Sequence, residues 1–339
     1  EDFTTLSIED MIAEEEMVLT ITHNGYIKRT SLSTYRSQRR GGRGVQGASS
    51  REEDFVEHLF VANTHSYILF FTDRGKCYWV KVYDIPEGGR AAKGRAIVNL
   101  IGCDPEEKVS AFISVKEFNE DHFVVMATEK GMVKKTKLSA YSNPRKKGIY
   151  AVEIREGDRL IEARVSTGDN DILLGTRNGK SIRFSEEQIR ASGRKTMGVK
   201  GITLSSEDDK LVGMLLIKRD GTVLVATEKG FGKRTEISQY RAQKRGGKGV
   251  LTMKTTDKVG KMVTIKEVVE KDDLMIITNQ GVLIRLPVSQ IRSIGRATQG
   301  VKLIKLGEGT LVSSITRIMT EEEKKEDGED ANSEQPAEG

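Results

Sequence analysis

The amino-acid sequence predicts an all-β protein, a ring or shallow spiral of six short-stranded blades, and three observations carry that prediction. One strand-turn-strand unit recurs six times along the chain. Its period stays near 51 residues, in the range of radial blade repeats. Helical periodicity is almost absent.

The six segments read LTITHNGYIKRTSL, LFFTDRGKCYWVKV, VVMATEKGMVKKTKL, LLGTRNGKSIRFS, VLVATEKGFGKRTEI and MIITNQGVLIRLPV. Each is an apolar run, then Thr-x-x-Gly, then a second short run that is often basic. The turn glycines are Gly25, Gly75, Gly131, Gly179, Gly230 and Gly281, separated by 50, 56, 48, 51 and 51 residues. Asn24-Gly25 and Asn178-Gly179 are dipeptides that suit a tight hairpin turn with positive φ. Runs such as Val223-Leu224-Val225 and Leu274-Met275-Ile276-Ile277 are strand-length and aliphatic. One short helix is expected over about 8–13, where Ser7 and Asp10 have capping-box spacing. Residues 1–320 are expected to form the bladed domain. Residues 321–339 lack an apolar cluster and are expected to be a disordered acidic tail.

Composition narrows the function. Charged residues make up 31% of the 339-residue chain, above the roughly 25% of typical globular proteins. The net charge of +5 hides an asymmetry. Residues 1–21 hold seven acids and no Lys or Arg, and residues 321–339 hold nine acids against two lysines. Between these ends, over 22–320, 53 basic residues face 34 acidic ones, a net of +19. A body of that sign attracts polyanions over a Debye length of about 10 Å. No run approaches the roughly 18 apolar residues of a membrane span. The acidic start offers no basic region of a signal peptide, and a first residue Glu1 rather than Met suggests a fragment of something longer. Cys77 and Cys103 lack CxxC spacing, which argues against a disulfide framework or cysteine zinc site and fits a reducing cytoplasm.

A second glycine follows each turn glycine: Gly44, Gly94, Gly148, Gly198, Gly249 and Gly300, at 19 residues in five repeats and 17 in the third. Four residues before it stands Arg40, Arg90, Arg194, Arg245 or Arg296. The third repeat has Pro144 there, with Arg145 next to it. Blade closure would set these basic, glycine-containing loops along one rim, the pattern needed to hold a curved duplex. Lys and Arg neutralise phosphates and release counterions. The guanidinium fork can grip one phosphate with two donors, and glycine lets the backbone come close. Bending a 20–30 base-pair site by 40–90° costs about 1–6 kcal/mol, so several separated contacts are needed. The expected DNA-contacting cations are Lys28, Arg29, Arg39, Arg40, Arg43, Arg90, Lys93, Arg95, Lys134, Lys135, Arg145, Lys146, Lys147, Arg194, Lys195, Lys233, Arg234, Lys244, Arg245, Lys248 and Arg296. No recognition helix or aromatic stacking series is visible, so weak sequence preference and steep salt dependence are expected.

Several other signals carry no chemistry. Gly42-x-Gly44-x-x-Gly47 matches a dinucleotide fingerprint in letters, but it follows Arg36-Ser37-Gln38-Arg39-Arg40 rather than a buried strand. His23, His58, His65 and His122 lack paired ligand spacing, so no metal is expected. Tyr35, Tyr141 and Tyr240 sit ten residues after the turn glycine, where the other repeats carry Ile85, Ile189 and Ile291. A Tyr/Ile position is a packing position, not a nucleophile. No Walker A sequence occurs, so no ATP site is expected in this segment.

The first rim loop, Gln38-Arg39-Arg40-Gly41-Gly42-Arg43-Gly44, resembles letter for letter the box that marks the C-terminal domain of DNA gyrase A. The resemblance runs over about 4–317. It implies a β-pinwheel whose outer rim wraps duplex DNA with positive handedness, the step that biases an ATP-dependent type II topoisomerase toward negative supercoiling. It also implies a bacterial, cytoplasmic, nucleoid-associated protein, partnered by the rest of gyrase A and by gyrase B in an A2B2 complex. The DNA-cleaving tyrosine, ATP and Mg2+ would all belong elsewhere in that enzyme, leaving this segment non-catalytic and without cofactors. The fifth loop, Gln243-Lys244-Arg245-Gly246-Gly247-Lys248-Gly249, repeats the box with two Arg replaced by Lys, either as repeat ancestry or as a second clamp. The acidic tail is either a solvating terminus or a competitor of DNA for the rim. Two alternatives remain beside the gyrase reading: the corresponding topoisomerase IV domain, bending DNA without strong chiral wrapping, and a propeller-like scaffold for acidic proteins.

Overall fold

The computed structural model describes residues 9–31, 54, 56–89, 91–218, 221–280 and 282–318. These form six antiparallel sheets arranged in a ring. Each sheet is centred on one of the repeated hairpins. In blade three, for example, Phe123–Thr128 and Met132–Lys137 pair in the middle, with Leu160–Ser166 on one side. The Leu160–Ser166 strand and its equivalents, from Val56–Asn63 to Val312–Ile318, line a central channel of about 880 Å³. The last of these inner strands returns to within 8 Å, Cα to Cα, of the first.

The fourth, outermost strand of each of the first five sheets is only two residues long and comes from the next repeat. Arg95–Ala96 of the second repeat pairs with Tyr26–Ser31 of the first blade. Ile149–Tyr150, Val199–Lys200, Val250–Leu251 and Val301–Lys302 do the same for blades two to five. Each follows directly on a second glycine. Gly198 has φ +79°, and a Cβ there would overlap the carbonyl oxygen of Val133 on the receiving strand, so the close approach requires glycine. The sixth sheet has three strands among the described residues.

The hairpin signature also has a local cause. The threonine of Thr-x-x-Gly accepts the glycine N–H on its carbonyl and the following N–H on its hydroxyl, as in Thr72 with Gly75 (3.0 Å) and Lys76 (3.3 Å). The last paired residues of the first hairpin are Ile21 and Ile27, so the connection is longer than the two-residue turn that Asn24-Gly25 suggests. The expected helix over 8–13 is only a single 3-10 turn, Glu9–Met11. The next carbonyls are taken by blade two instead: His65 Nε2 lies 2.9 Å from the Ile12 oxygen, and Thr64 Oγ1 donates to that of Ala13 at 2.8 Å. A short α-helix, Ile97–Ile101, was not legible in the sequence because five residues carry no helical period.

No blade has a core of its own. Ile68 and Phe70 pack toward blade one, while Leu69 and Phe71, on the opposite face, pack toward blade three. Val124 and Met126 face back in the same way, and Val125 and Ala127 face forward. Successive side chains leave a strand on opposite faces, so a strand buried on both reads as a continuous apolar run. The Tyr/Ile position belongs to these layers: Ile85, Tyr141, Ile189, Tyr240 and Ile291 are all buried, and Tyr35 lies outside the described residues.

Side-chain donors tie the blades together. In the first five repeats the residue four after the turn glycine reaches a carbonyl on the next repeat, whereas Arg285 of the sixth donates to Asp273 of its own hairpin. Arg29 Nε donates to Ile85 O (2.7 Å), Trp79 Nε1 to Tyr141 O (2.8 Å) and Lys135 Nζ to Glu186 O (3.1 Å). Arg183 Nη1 donates to Tyr240 O (3.1 Å) and Arg234 Nε to Ile291 O (2.8 Å). In odd-numbered repeats a lysine three after the glycine does similar work. Lys28 donates to Gly89 O and Ala92 O (both 2.9 Å), and Lys134 to Ala151 O (2.5 Å) and Arg194 O (2.6 Å). Lys233 reaches Gly295 O (2.8 Å), Arg296 O and Thr298. Burial, then the charge of Arg194, lowers the Lys134 ammonium to about 7, and burial, then Arg296, lowers Lys233 to about 8.

Two outcomes follow. Trp79→Phe removes a donor and leaves a carbonyl unmet, and should cost about 1–2 kcal/mol in urea unfolding while leaving surface charge unchanged. For Lys134, the unfolded chain holds its proton up to the ordinary value of 10.5, whereas the folded chain releases it near 7. Stability should therefore rise with pH across that window, and the gain should vanish as pH falls through the folded value. Urea midpoints measured at pH 6.5 and 9.5 should rise less in Lys134→Met than in the parent; an equal rise would refute the assignment.

Candidate nucleic-acid interface

The rim is built from the loops that end in the second glycines. Each of the five loops that end at Gly94, Gly148, Gly198, Gly249 and Gly300 crosses to the outer edge of the preceding sheet, pairs for two residues, and returns to the centre. The pairing holds these loops at the greatest distance from the channel, so cations on them face outward unless something else claims them.

The arginine four before the second glycine is claimed. Arg194 Nη1 donates to Tyr150 O at 3.2 Å, Arg245 Nη1 to Lys200 O at 2.6 Å, and Arg296 Nη1 to Leu251 O. Each acceptor is the last residue of the preceding loop's short strand. These half-buried arginines are thus latches from loop to loop rather than open phosphate clamps. Backbone bonds reinforce the latch, as in Gly246 N to Gly201 O (2.9 Å) and Thr203 N to Gly247 O (2.9 Å).

The expected DNA-contacting cations consequently divide. Lys134, Lys135, Lys233 and Arg234 are buried at 1%, 6%, 0% and 8% exposure, and their charged ends are spent on carbonyls and carboxylates of the fold. Expecting DNA contacts from them was wrong, because their place in the second hairpin strand points them between blades. Lys28 and Arg29 are half-buried and similarly engaged, and Arg194, Arg245 and Arg296 are the latches. Lys93, Arg95, Arg145, Lys146, Lys147, Lys195, Lys244 and Lys248 are exposed. Of these, Lys93 rests over the Tyr26 ring, 4.2 Å from its centroid, and the other seven show no side-chain partner among the described residues. The box residues Gln38, Arg39, Arg40, Gly41, Gly42, Arg43 and Gly44 lie outside the described residues, as do Arg90 and the tail 321–339.

The sequence reading also missed a set. Arg190, Arg241 and Arg292 are exposed, each one residue beyond the buried Tyr/Ile position. Their regular spacing, eleven residues after the turn glycine, was a usable signal. Lys200 and Lys302 are exposed on the short outer strands. Among the described residues no group of three or more His, Cys, Asp or Glu is placed to hold a metal, and no helix is long and apolar enough to cross a membrane.

A family model described as the DNA gyrase C-terminal domain, beta-propeller, matches six successive segments, 16–63, 66–116, 122–167, 170–218, 221–268 and 272–318. The DNA gyrase A protein of Staphylococcus aureus strains COL and NCTC 8325 / PS 47 is 46% identical over 335 residues, 98% of this chain and 37% of each relative. The chain thus spans a little over a third of the length of those relatives. A crystal structure of the C-terminal domain of DNA topoisomerase IV superposes with a TM-score of 0.84 at 25% identity, covering 96% of this chain and 100% of that one. A DNA gyrase A C-terminal domain gives 0.67 at 22% identity, over 90% of this chain and 100% of the other, a likeness of fold. Each matched segment contains one hairpin with its inner strand, in register with the blades found here. With the six blades, the rim loops and these matches in agreement, the chain belongs to the DNA gyrase C-terminal-domain β-propeller family.

Proposed function

We propose that this chain binds duplex DNA along its outer rim and bends it round the ring, as the wrapping domain of a gyrase A protein. The observation that carries the reading is the row of exposed, unengaged cations on successive outer loops, Arg95, Arg145 to Lys147, Lys195, Lys244 and Lys248. They recur at the outer edges of blades one to four, so a duplex following the rim meets a phosphate contact at each blade. Carbonyl latches hold several of the loops in place, so little ordering is needed when DNA arrives. The segment supplies curvature and no chemistry. In the complete enzyme, cleavage, strand passage and ATP use would fall to the rest of gyrase A and to gyrase B.

The topoisomerase IV neighbour supports a second reading, in which the rim bends DNA without imposing a hand. Ligating nicked circular DNA in the presence of the chain, then removing the protein, separates the two. A positive topoisomer shift that grows with protein is expected for chiral wrapping. Binding without a shift would select the second reading, and no binding would refute both.

The split between exposed and buried cations is testable by the salt dependence of duplex affinity. Lys244→Gln with Lys248→Gln should flatten the slope of log K against log salt by about 1.8, at about 0.9 per phosphate, with an unchanged melting temperature. Lys233→Gln should do the reverse, lowering the melting temperature and leaving the slope of the folded protein alone. Equal slopes for the parent and the double variant would remove the fifth loop from the interface.

A further inference from the structure

The residue eleven after the turn glycine changes character round the ring. It is Arg190, Arg241 and Arg292 in the fourth to sixth repeats, but Pro86 and Ser142 in the second and third. The backbone places it alike on each edge. Arg234 N donates to Arg292 O (3.1 Å) on blade five, and Arg29 N to Pro86 O (3.0 Å) on blade one. On blade three Ser192 N reaches Lys135 O at 2.8 Å, as Ile294 N reaches Arg234 O at 2.9 Å on blade five. The residue after the arginine position bridges the outer hairpin strand, Ser293 with Arg234, Ala242 with Arg183 and Glu87 with Arg29. Each bridge lies three residues along that strand from the end of the short outer strand, where Lys302 meets Phe231, Leu251 meets Lys180 and Ala96 meets Tyr26. At about 3.4 Å per residue the two positions stand about 10 Å apart along the edge, and the loop tip springs from between them.

The rim therefore has two margins, and their charges run differently. On the margin of the short strands, Arg95, Lys200 and Lys302 are exposed at blades one, three and five. On the opposite margin blade one presents Asp84 and Glu87, both exposed, with Glu87 lying 3.5 Å from Arg29. Blade two has the neutral Ser142 there. Blades three to five carry Arg190, Arg241 and Arg292, exposed and without a side-chain partner among the described residues. The positive charge of the rim thus lies toward the short-strand margin on blade one and has moved toward the other margin by blade five.

We propose that the duplex crosses the rim obliquely, kept to the short-strand margin on blade one and drawn toward the arginine margin on blades three to five, and that this slant gives the wrap its hand. The proposal rests on the DNA-binding reading above and deepens it. A duplex bent in one plane has no hand. One that shifts steadily across the rim as it goes round follows a superhelix, and the direction of the shift fixes the sign. The two ends of the margin act oppositely on the same track. Exposed arginines add phosphate contacts, whereas carboxylates repel phosphates over a Debye length of about 10 Å.

The test uses the full chain and nicked circular DNA at saturating protein, so that the topoisomer shift per bound protein reads the slant and not the affinity. Arg190→Gln, Arg241→Gln and Arg292→Gln together should lower that shift and flatten the salt slope by about 2.7, at about 0.9 per phosphate. Glu87→Gln should also lower the shift, without weakening duplex affinity, because the path straightens toward the freed margin. The two variants change the charge in opposite directions, so a general charge effect does not predict both results. Lys108→Gln, Lys116→Gln and Lys258→Gln together, at exposed positions beside the inner strands, remove as much charge as the arginine triple and should leave shift and slope unchanged. An arginine triple or a Glu87→Gln chain that keeps the parent's shift would overturn the slant, as would a lysine triple that lowers it equally. A parent that binds duplex without any shift would overturn it too and leave the DNA-binding reading standing; a parent that binds no duplex would overturn both.

Discussion

The ring depends on one constraint: a twisted four-stranded sheet standing on edge has an outer strand with unpaired backbone groups, and a repeat cannot cover its own. Exposed sheet edges invite pairing with other chains. Among the described residues five of the six edges are closed by two residues of the next repeat, as when Val199 and Lys200 pair with Val133 and Met132. The crossing demands a glycine, because Gly198 passes against the Val133 carbonyl where no Cβ fits. It also carries the chain to the perimeter and back, which makes the rim. The sheet-closing device and the proposed DNA surface are one segment of chain. A substitution that loosens the pairing would therefore disturb shape and binding together.

Lys and Arg serve two ends in this fold, and the backbone decides which. On the second hairpin strand the side chain points between blades, and its N–H groups cap carbonyls that the next repeat's turn leaves open. Trp79 fills that role in the second repeat, which shows that the position needs an N–H donor rather than a charge. The charge itself is a burden where it is buried. Lys134 makes only two hydrogen bonds to carbonyls, which a neutral amine can also make, and its ionisation is depressed accordingly. On the rim loops the same residue types stand in water, where cations release counterions when a polyanion arrives. The shared hydrophobic layers let the two roles coexist. The sheets of blades two to five are each buried on both faces by their neighbours, so polar chemistry there is confined to the seams, the channel and the perimeter.

Much of this was legible in the chain as a string of letters. The six turn glycines, the second glycines and the Tyr/Ile packing position are periodic in sequence because each repeat meets the same neighbours, so the blade count and the packed tyrosines followed from spacing alone. The continuous apolar runs, Leu69 to Phe71 for instance, carried the information that both faces are covered. Local chemistry was equally readable: the threonine of Thr-x-x-Gly folds back on its own turn, and no distant residue is needed to see it.

The fate of individual cations was not legible. Lys134 and Lys147 are the same residue type on the same repeat, and nothing within a few positions of either says that one ends at 1% exposure beneath Arg194 while the other stands in solvent. The difference is made by Ala151 and Arg194, 17 and 60 positions away, which supply the carbonyls that hold Lys134. The latch arginines show the same limit, since Arg245 looks like a phosphate clamp until Lys200 is seen to lie within reach. Residue spacing encodes the repeat because it repeats. Which donor meets which acceptor across a seam depends on how two repeats are turned against each other, and only the assembled ring decides that.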